Sequence, residues 1–151
     1  MRIALYEPEI AGNVGAVLRL GACMGVSVDL IEPMGFTWDD RRVRRTAMDY
    51  IDHVEVVRHA DWEAFYEARA GATFTLFSSK ATQSPYGHVF GADDILLFGK
   101  ESAGVPDHVA RACQARLRIP MQPAVRSLNL ATSAALALGE ALRQTGQLPP
   151  L

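Results

Sequence analysis

Three segments of this sequence combine glycines with polar or charged side chains, a combination that a buried core does not require. They cover residues 7–19, 98–106 and 119–130. Each segment contains a side chain that can hold or polarise a reacting group: Arg19, Glu101 and Asn129, respectively. Glycines in the first two segments let backbone amides approach a ligand closely. Taken singly, each segment is also compatible with an ordinary turn between a strand and a helix.

Short apolar runs alternate with helical patterns, which predicts a mostly parallel sheet with helices packed on it. Most of these runs are apolar on both faces, as buried parallel strands are. The predicted strands are Arg2–Tyr6, Val26–Ile31, Val54–Val57, Thr73–Phe77, Ile95–Phe98 and Leu117–Ile119. The first two polar segments directly follow the first and fifth strands, and ligands of open α/β sheets bind at this carboxyl edge.

Five helices are predicted, four between these strands and one after the last of them. The first begins with Asn13 as its N-cap and buries one face, and the next three cover about 39–47, 61–69 and 106–112. The buried face of the first helix consists of Val14, Val17, Leu18 and Gly21. The last helix, about 127–144, carries an apolar stripe of Leu128, Ala131, Ala135, Leu138 and Leu142. This stripe is predicted either to form a dimer face or to pack only on its own sheet.

Composition limits the possible classes of protein. The 151 residues (16.5 kDa) suit one domain, and 49% hydrophobic with 21% charged residues exclude general disorder. No run reaches the roughly 20 apolar residues of a membrane span, and an acidic Glu7 precedes any signal-peptide core, so we expect a cytoplasmic protein without a membrane partner. The net charge of −2 argues against coating nucleic acid by bulk charge but allows a local basic patch.

Common nucleotide and hydrolase motifs are absent from the sequence. There is no GxxxxGK[ST] phosphate loop, no GxGxxG dinucleotide motif and no GxSxG nucleophile motif. The four histidines and two cysteines show no spacing typical of metal ligands. We therefore expect no metal site and no hydrolase triad.

Taken together and in this order, the three segments resemble the SPOUT class of S-adenosylmethionine-dependent RNA methyltransferases. The resemblance consists of Asn-x-Gly-x-x-x-Arg at 13–19, Phe-Gly-x-Glu-x-x-Gly-Val-Pro at 98–106, and Ile-Pro-Met followed by Arg-Ser-Leu-Asn-Leu within 119–130. Shorter strings at 6–10, 31–36, 38–40 and 44–45 are similar to those of small tRNA methyltransferases that modify the ribose of cytidine or uridine 34, the wobble position. The resemblance extends over essentially the whole chain.

The resemblance implies one α/β domain over residues 1–151. Its mostly parallel sheet has helices on both faces, and its C-terminal third is threaded into a deep trefoil knot, which is rare among protein folds. S-adenosylmethionine is expected in the knot loops, without a metal. The residues implied to bind it are Phe77, Gly99, Glu101, Gly104, Ile119, Met121, Ser127 and Leu128. For Glu101, three roles stay open: holding a helix amide, a substrate group or the cationic cofactor.

The implied reaction is in-line transfer of a methyl group to a ribose 2′-hydroxyl. Arg19 matches the proposed catalytic arginine of the class, and because guanidinium stays protonated, it suits orienting a phosphate or lowering the proton affinity of the hydroxyl better than acting as a base. Alternatively, Arg19 only clamps an RNA phosphate. Asn129 is the second implied catalytic residue, its amide directed either toward the hydroxyl or into the knot turn.

RNA binding is expected at a run of arginines. Arg41, Arg44 and Arg45 are candidates for the phosphates of the tRNA anticodon stem and loop, although such a run can also be a solvated helix face. Wobble bases lie in a single-stranded loop, which proteins read by stacking and edge hydrogen bonds. Three nearby aromatic residues could stack on bases, but core packing is expected for at least two: Phe36, Trp38 and Tyr50.

A homodimer is expected, because the resemblance places each active site at the subunit boundary. Two residues depart from the pattern of the wobble group: Gly139 replaces a tyrosine in the last helix, and Lys100 replaces a proline in the second motif. The main alternatives are 2′-O-methylation at another tRNA or ribosomal RNA position, and a non-catalytic RNA-binding module on the same fold.

Overall fold

Six parallel strands form a single sheet in the order β3-β2-β1-β5-β4-β6. The computed structural model describes residues 1–47 and 49–151, without the side chains of residues 40, 44 and 46. The strands are β1 (Arg2–Tyr6), β2 (Ser27–Ile31), β3 (Val56–His59), β4 (Phe74–Phe77), β5 (Ile95–Phe98) and β6 (Ala115–Leu117).

The described residues form five α-helices, of which four connect strands and the last follows the sixth strand. They are α1 (Ala11–Met24), α2 (Asp40–Ala47), α3 (Trp62–Ala68), α4 (Asp107–Ala112) and α5 (Leu130–Thr145). Short 3₁₀ turns lie at Tyr50–His53 and Pro85–Gly87. Within the part of the chain that the structure describes, no helix is both long and apolar enough to cross a membrane.

The sheet separates two apolar cores, because successive side chains of a strand point to opposite faces. On β1, Ile3 and Leu5 pack into the core that contains residues of α1 and α5, whereas Ala4 and Tyr6 pack into the core that contains residues of α3 and α4. The predicted mostly parallel sheet with helices on both faces is therefore confirmed.

Strand boundaries agree with the sequence pattern to within one residue except at the third and sixth strands. Strand β3 begins two residues later than predicted, and β6 ends at Leu117 rather than at Ile119. Ile119 is buried, but it lies beyond the ladder, where Arg118 N donates to Gln83 O at 2.8 Å. The apolar run therefore indicated burial correctly and strand pairing incorrectly.

Both long helices begin at positions that differ from the prediction. Helix α1 begins at Ala11, with Ile10 as its N-cap, so the prediction of Asn13 as N-cap is wrong. The Asn13 side chain instead forms hydrogen bonds with Glu101 and Asn129. Helix α5 begins three residues later than predicted, because Asn129 is its N-cap and its Oδ1 accepts hydrogen bonds from Ala131 N and Thr132 N.

The apolar stripe of α5 was predicted correctly only in part: Leu138 and Leu142 are buried as expected, whereas Leu128 and Ala135 are not. The side chains that α5 buries are Leu130, Ala134, Ala137, Leu138, Ala141 and Leu142. Leu128 precedes the helix, and it and Ala135 are exposed. An alanine-rich helix offers more than one apolar stripe, and packing against α1 and β5 selects the one that begins at Leu130. Leu136, 43% exposed, lies on the outward face.

Candidate active site

A cavity of about 530 Å³ lies at the carboxyl edge of the sheet, where the three polar segments meet. Ile10 and Asn13 come from the first segment, residues 98–104 from the second, and residues 119–130 supply several more. The three segments lie close together because a parallel sheet brings the carboxyl ends of its strands to one edge. The volume is within the range of sites that enclose a small molecule.

All eight residues predicted to bind a cofactor line this cavity: Phe77, Gly99, Glu101, Gly104, Ile119, Met121, Ser127 and Leu128. Its apolar part includes Phe77, Phe98 and Ile119, all less than 10% exposed. The Phe77 and Phe98 rings stack with centroids 5.1 Å apart. This surface suits an aromatic or apolar ligand group, while the loops around it provide polar backbone.

Two glycines shape the loop of the second segment. Lys100 and Gly104 form an antiparallel bridge with N to O distances of 3.0 and 2.9 Å. A Cβ atom on Gly99 would lie 2.5 Å from the carbonyl carbon of Gly104, and Gly104 itself has a φ of +68°. A side chain at either position would therefore disturb the loop that forms one wall of the cavity.

Glu101 binds the beginning of α1 from across the cavity wall. Its Oε2 accepts a hydrogen bond from Glu9 N at 2.8 Å, and its Oε1 accepts from Ile10 N at 3.3 Å and from Asn13 Nδ2 at 3.2 Å. A carboxylate is favoured at this position by the positive end of the helix dipole. Of the three roles left open by the sequence, the structure is nearest to the first: Glu101 holds the backbone amides of Glu9 and Ile10, directly before α1.

Asn129 connects the third segment to the first. Its Nδ2 donates to Asn13 Oδ1 at 2.9 Å, while its Oδ1 caps α5. Glu101, Asn13 and Asn129 thus form one hydrogen-bonded chain that joins all three motifs. The Asn129 amide is engaged within the protein, which corresponds to the predicted orientation into the turn.

Reciprocal carboxylate contacts hold the loops at residues 7–10 and 100–102 together. Ser102 donates to Glu9 through its Oγ at 2.7 Å and its N at 2.9 Å, and these bonds lower the pKa of Glu9. Lys100 Nζ lies 2.6 Å from Glu7 Oε2, and this hydrogen-bonded ion pair raises the pKa of Lys100. The charge of Lys100, which departs from the family pattern, is therefore paired.

Arg19 lies outside the cavity, so the structure does not bring the two predicted catalytic residues together. It is exposed and follows Asn13 by six residues on α1, about 9 Å along the helix axis. Its guanidinium lies over the Tyr50 ring, with Cζ 4.8 Å from the ring centroid. A stacking contact of this kind limits the orientations that the guanidinium adopts.

The predicted RNA-binding arginines lie on α2, which packs on the core through Val43 and Ala47. Arg41 and Arg45 are exposed, and the side chain of Arg44 lies outside the described residues. Among the neighbouring aromatic residues, Phe36 and Trp38 pack partly against the core, as expected for two of the three.

Several cavity residues were not predicted from the sequence. They are Ile10, Asn13, Ser78, Ser79, Lys80, Phe98, Lys100, Ser102, Ala103, Arg118, Leu130 and Ser133. Ser78, Ser79 and Lys80 could have been predicted, because they directly follow β4 at the carboxyl edge of the sheet. Among residues 1–47 and 49–151, no group of three His, Cys, Asp or Glu side chains is arranged to hold a metal ion.

Comparison with known families agrees with this geometry. Residues 1–139 match the model of the SpoU rRNA Methylase family. The chain belongs to the SpoU methylase family. The solved structures that share the fold of this SpoU-family chain include an AdoMet-bound rRNA methyltransferase of Sinorhizobium meliloti, with a TM-score of 0.85 and 26% identity over 94% of this chain and 55% of that one. The trefoil knot stays a prediction from the resemblance.

Nearer relatives of the SpoU-family chain have nearly the same length. It is 49% identical to a tRNA (cytidine(34)-2′-O)-methyltransferase of Beijerinckia indica, over 97% of this chain and 92% of the relative. The enzyme of that name from Escherichia coli K12 is 40% identical, over 97% and 94%. A structure solved to study 2-OH methylation of C/U34 on tRNA superposes with a TM-score of 0.90 and 41% identity, over 95% and 94%.

Proposed function

We propose that this protein transfers a methyl group from S-adenosylmethionine to the ribose 2′-hydroxyl of nucleotide 34, a cytidine or uridine, in tRNA. The observation that carries the proposal is the cavity that collects all eight predicted cofactor residues in a chain 49% identical to a tRNA (cytidine(34)-2′-O)-methyltransferase. A tRNA substrate agrees with the cytoplasmic location expected from the sequence.

The residues of the cavity fit S-adenosylmethionine. Phe77 and Ile119 offer an apolar surface for adenine, and the backbone of the glycine loop at Gly99 and Gly104 offers hydrogen bonds. Met121, Ser127 and Leu128 complete the proposed binding wall. When bound, the cofactor supplies an activated methyl group on a sulfonium. Glu101 supports this wall by holding the beginning of α1.

Arg19 is the proposed catalytic residue. The methyl donor is already activated, so orienting the reactants provides most of the acceleration, on the order of 7–11 kcal/mol in well-oriented sites. A protonated guanidinium suits this role because it can hold a phosphate next to the target ribose or stabilise the hydroxyl as it loses its proton. Asn129 contributes by fixing the turn between the cavity and α5.

The position of Arg19 supports a homodimer in which the active site spans two protomers. In one protomer Arg19 is exposed and is not part of the cavity wall. Apolar side chains remain exposed near the cavity and on α5, among them Leu128 and Leu136. We infer that a second copy covers this apolar surface and that Arg19 of one protomer completes the cavity of its partner.

The anticodon loop is the proposed RNA partner. Exposed Arg41 and Arg45 provide cationic groups on α2, which packs against α1, the helix that carries Arg19. Phosphate contacts of this kind position an RNA without reading its sequence. A second candidate, methylation of ribosomal RNA, is favoured by the family description and by the rRNA methyltransferase that shares the fold.

The test is incubation of the purified protein with methyl-labelled S-adenosylmethionine and unmodified total tRNA, followed by nuclease digestion and mapping of the label. We expect 2′-O-methylcytidine or 2′-O-methyluridine at position 34. Label at another tRNA position would retain the chemistry and remove the wobble assignment. Label only in ribosomal RNA, offered in a parallel reaction, would favour the second candidate. Cofactor binding without any transfer would favour the RNA-binding module.

A further inference from the structure

We propose that Lys80 and Arg118 form an anion-binding subsite in the wall of the cofactor cavity. Its ligand is a carboxylate or phosphate group, either the carboxylate at the amino-acid end of the cofactor or a backbone phosphate beside the target nucleotide. The proposal rests on the function proposed above, because that function supplies both anions. Neither residue belongs to the three sequence motifs.

The two residues leave neighbouring strands at the same edge of the sheet. Strands β4 and β6 pair in parallel, with Phe77 opposite Leu117, and Ser78 N donates to Leu117 O at 2.9 Å just beyond the ladder. Lys80 and Arg118 follow these positions by three residues and one residue, and both line the cavity. The sheet register therefore places two cationic residues at the same site from segments 38 positions apart.

The other charged groups of the cavity have partners. Lys100 pairs with Glu7, and Glu101 accepts bonds from Glu9 N, Ile10 N and Asn13. Within residues 1–47 and 49–151, by contrast, Lys80 and Arg118 form no ion pair with a carboxylate. Both are exposed to solvent at the cavity.

Two uncompensated cations in a concave site attract anions and repel cations. S-adenosylmethionine carries a positive sulfonium and an ammonium group, so this wall favours the cofactor only where it meets the carboxylate. An RNA phosphate would equally neutralise the positive charges of Lys80 and Arg118. Arginine provides a planar pair of donors that matches either anion, and lysine adds a point charge beside it.

The experiment compares Lys80→Gln, Arg118→Gln and the double variant with Arg111→Gln. Arg111 is a matched control, because it is exposed on α4, lies outside the cavity wall and loses the same charge. Equal thermal unfolding of the four variants shows that the fold is retained. Arg118→Lys keeps the charge and tests rescue. Calorimetry with S-adenosylmethionine and with its decarboxylated analogue measures cofactor binding, and tRNA affinity is measured over a range of salt concentrations.

A carboxylate ligand predicts that the double variant binds S-adenosylmethionine about tenfold more weakly but binds the decarboxylated analogue as the unmodified protein does. A phosphate ligand predicts unchanged cofactor affinity and a slope of log K against log salt that is smaller by about one for each cation removed. Either result supports the subsite. If the double variant matches Arg111→Gln in both assays, the proposal is overturned.

Both assays measure binding without turnover, so they are independent of the methylation test. A protein that binds these ligands through Lys80 and Arg118 but methylates no tRNA would retain the subsite and lose the proposed function. A protein that methylates position 34 with an unaffected double variant would retain the function and lose the subsite.

Discussion

The cofactor cavity and the surface around Arg19 are built differently. The cavity is joined by side-chain hydrogen bonds between segments 88 to 116 residues apart, through Glu101, Asn13 and Asn129. Arg19 is exposed on the same helix as Asn13 and contacts Tyr50, which lies 31 positions away. The chain thus supplies the residues that line the cavity but leaves its proposed catalytic arginine outside it. This difference implies that cofactor binding and methyl transfer can be separated by mutation.

The largest effect is expected from disturbing the loop that forms one wall of the cavity. Gly99→Val should abolish both cofactor binding and methylation, because even the Cβ atom would lie 2.5 Å from the backbone of Gly104. Gly87→Ala is the matched control, since a Cβ at that exposed position meets no atom within 4 Å. Calorimetric binding of S-adenosylmethionine tests the effect. Normal binding by Gly99→Val would show that this loop is not part of the binding site.

Arg19→Ala should separate the two regions most clearly. We expect methylation to fall by about 10²–10³-fold, as for the loss of one group that stabilises a transition state, with cofactor affinity nearly unchanged. Single-turnover methylation and calorimetry measure the two quantities. An equal loss of both would mean that Arg19 supports the cavity rather than the reaction.

Glu101→Gln should affect both regions, because this side chain lines the cavity and holds the beginning of α1, the helix that carries Arg19. Replacing the carboxylate weakens its bonds to the beginning of α1, and we expect the free energy of unfolding to fall by about 0.5–2 kcal/mol, as for the loss of a helix cap. Cofactor affinity and methylation rate should fall together. A variant with normal stability and lost cofactor binding would instead assign the carboxylate to the cofactor.

Tyr50→Leu should reduce methylation without reducing cofactor affinity, because it removes the ring that orients Arg19. We expect kcat to fall by about tenfold or less, since exposed contacts between a cation and an aromatic ring contribute about 0.5–1 kcal/mol. Tyr50→Phe retains the ring and should retain the rate. If Phe fails as Leu does, the hydroxyl rather than the ring is the important group.

Arg45→Gln should have the smallest effect, confined to RNA binding. The slope of log K against log salt for tRNA should decrease by about one if Arg45 contacts a phosphate. Arg111→Gln serves again as the control for net charge. An unchanged slope would return the arginine run to the interpretation as a solvated helix face.

The fold could be predicted because the pattern of apolar residues within each short segment indicates the type of element that the segment forms. Buried parallel strands are apolar on both faces, so runs such as Ile95–Phe98 indicate their position and type directly. The motif residues were also placed correctly at one edge of the sheet. The order of the motifs, through the family resemblance that it supports, therefore predicted eight of the residues that line the cavity.

Contacts between distant segments could not be predicted in the same way. Asparagine is a residue type that N-caps favour, which led to the prediction for Asn13. The beginning of α1 is instead supported by Glu101, which lies 88 residues away from Asn13 in the sequence. Lys80 and Arg118 reach the cavity only through the pairing of β4 with β6. The alanines of α5 fit more than one register until the neighbouring elements select one.

The most direct test of a site shared between protomers is complementation between two inactive variants. Arg19→Ala retains the cavity and lacks the arginine, while Gly99→Val retains the arginine and lacks the cavity. The two variants are mixed in equal amounts, allowed to exchange subunits and assayed for tRNA methylation. Random pairing predicts recovery of about a quarter of the unmodified activity, because half the dimers are mixed and each contains one complete site. No recovery despite demonstrated subunit exchange would show that Arg19 does not act across the boundary.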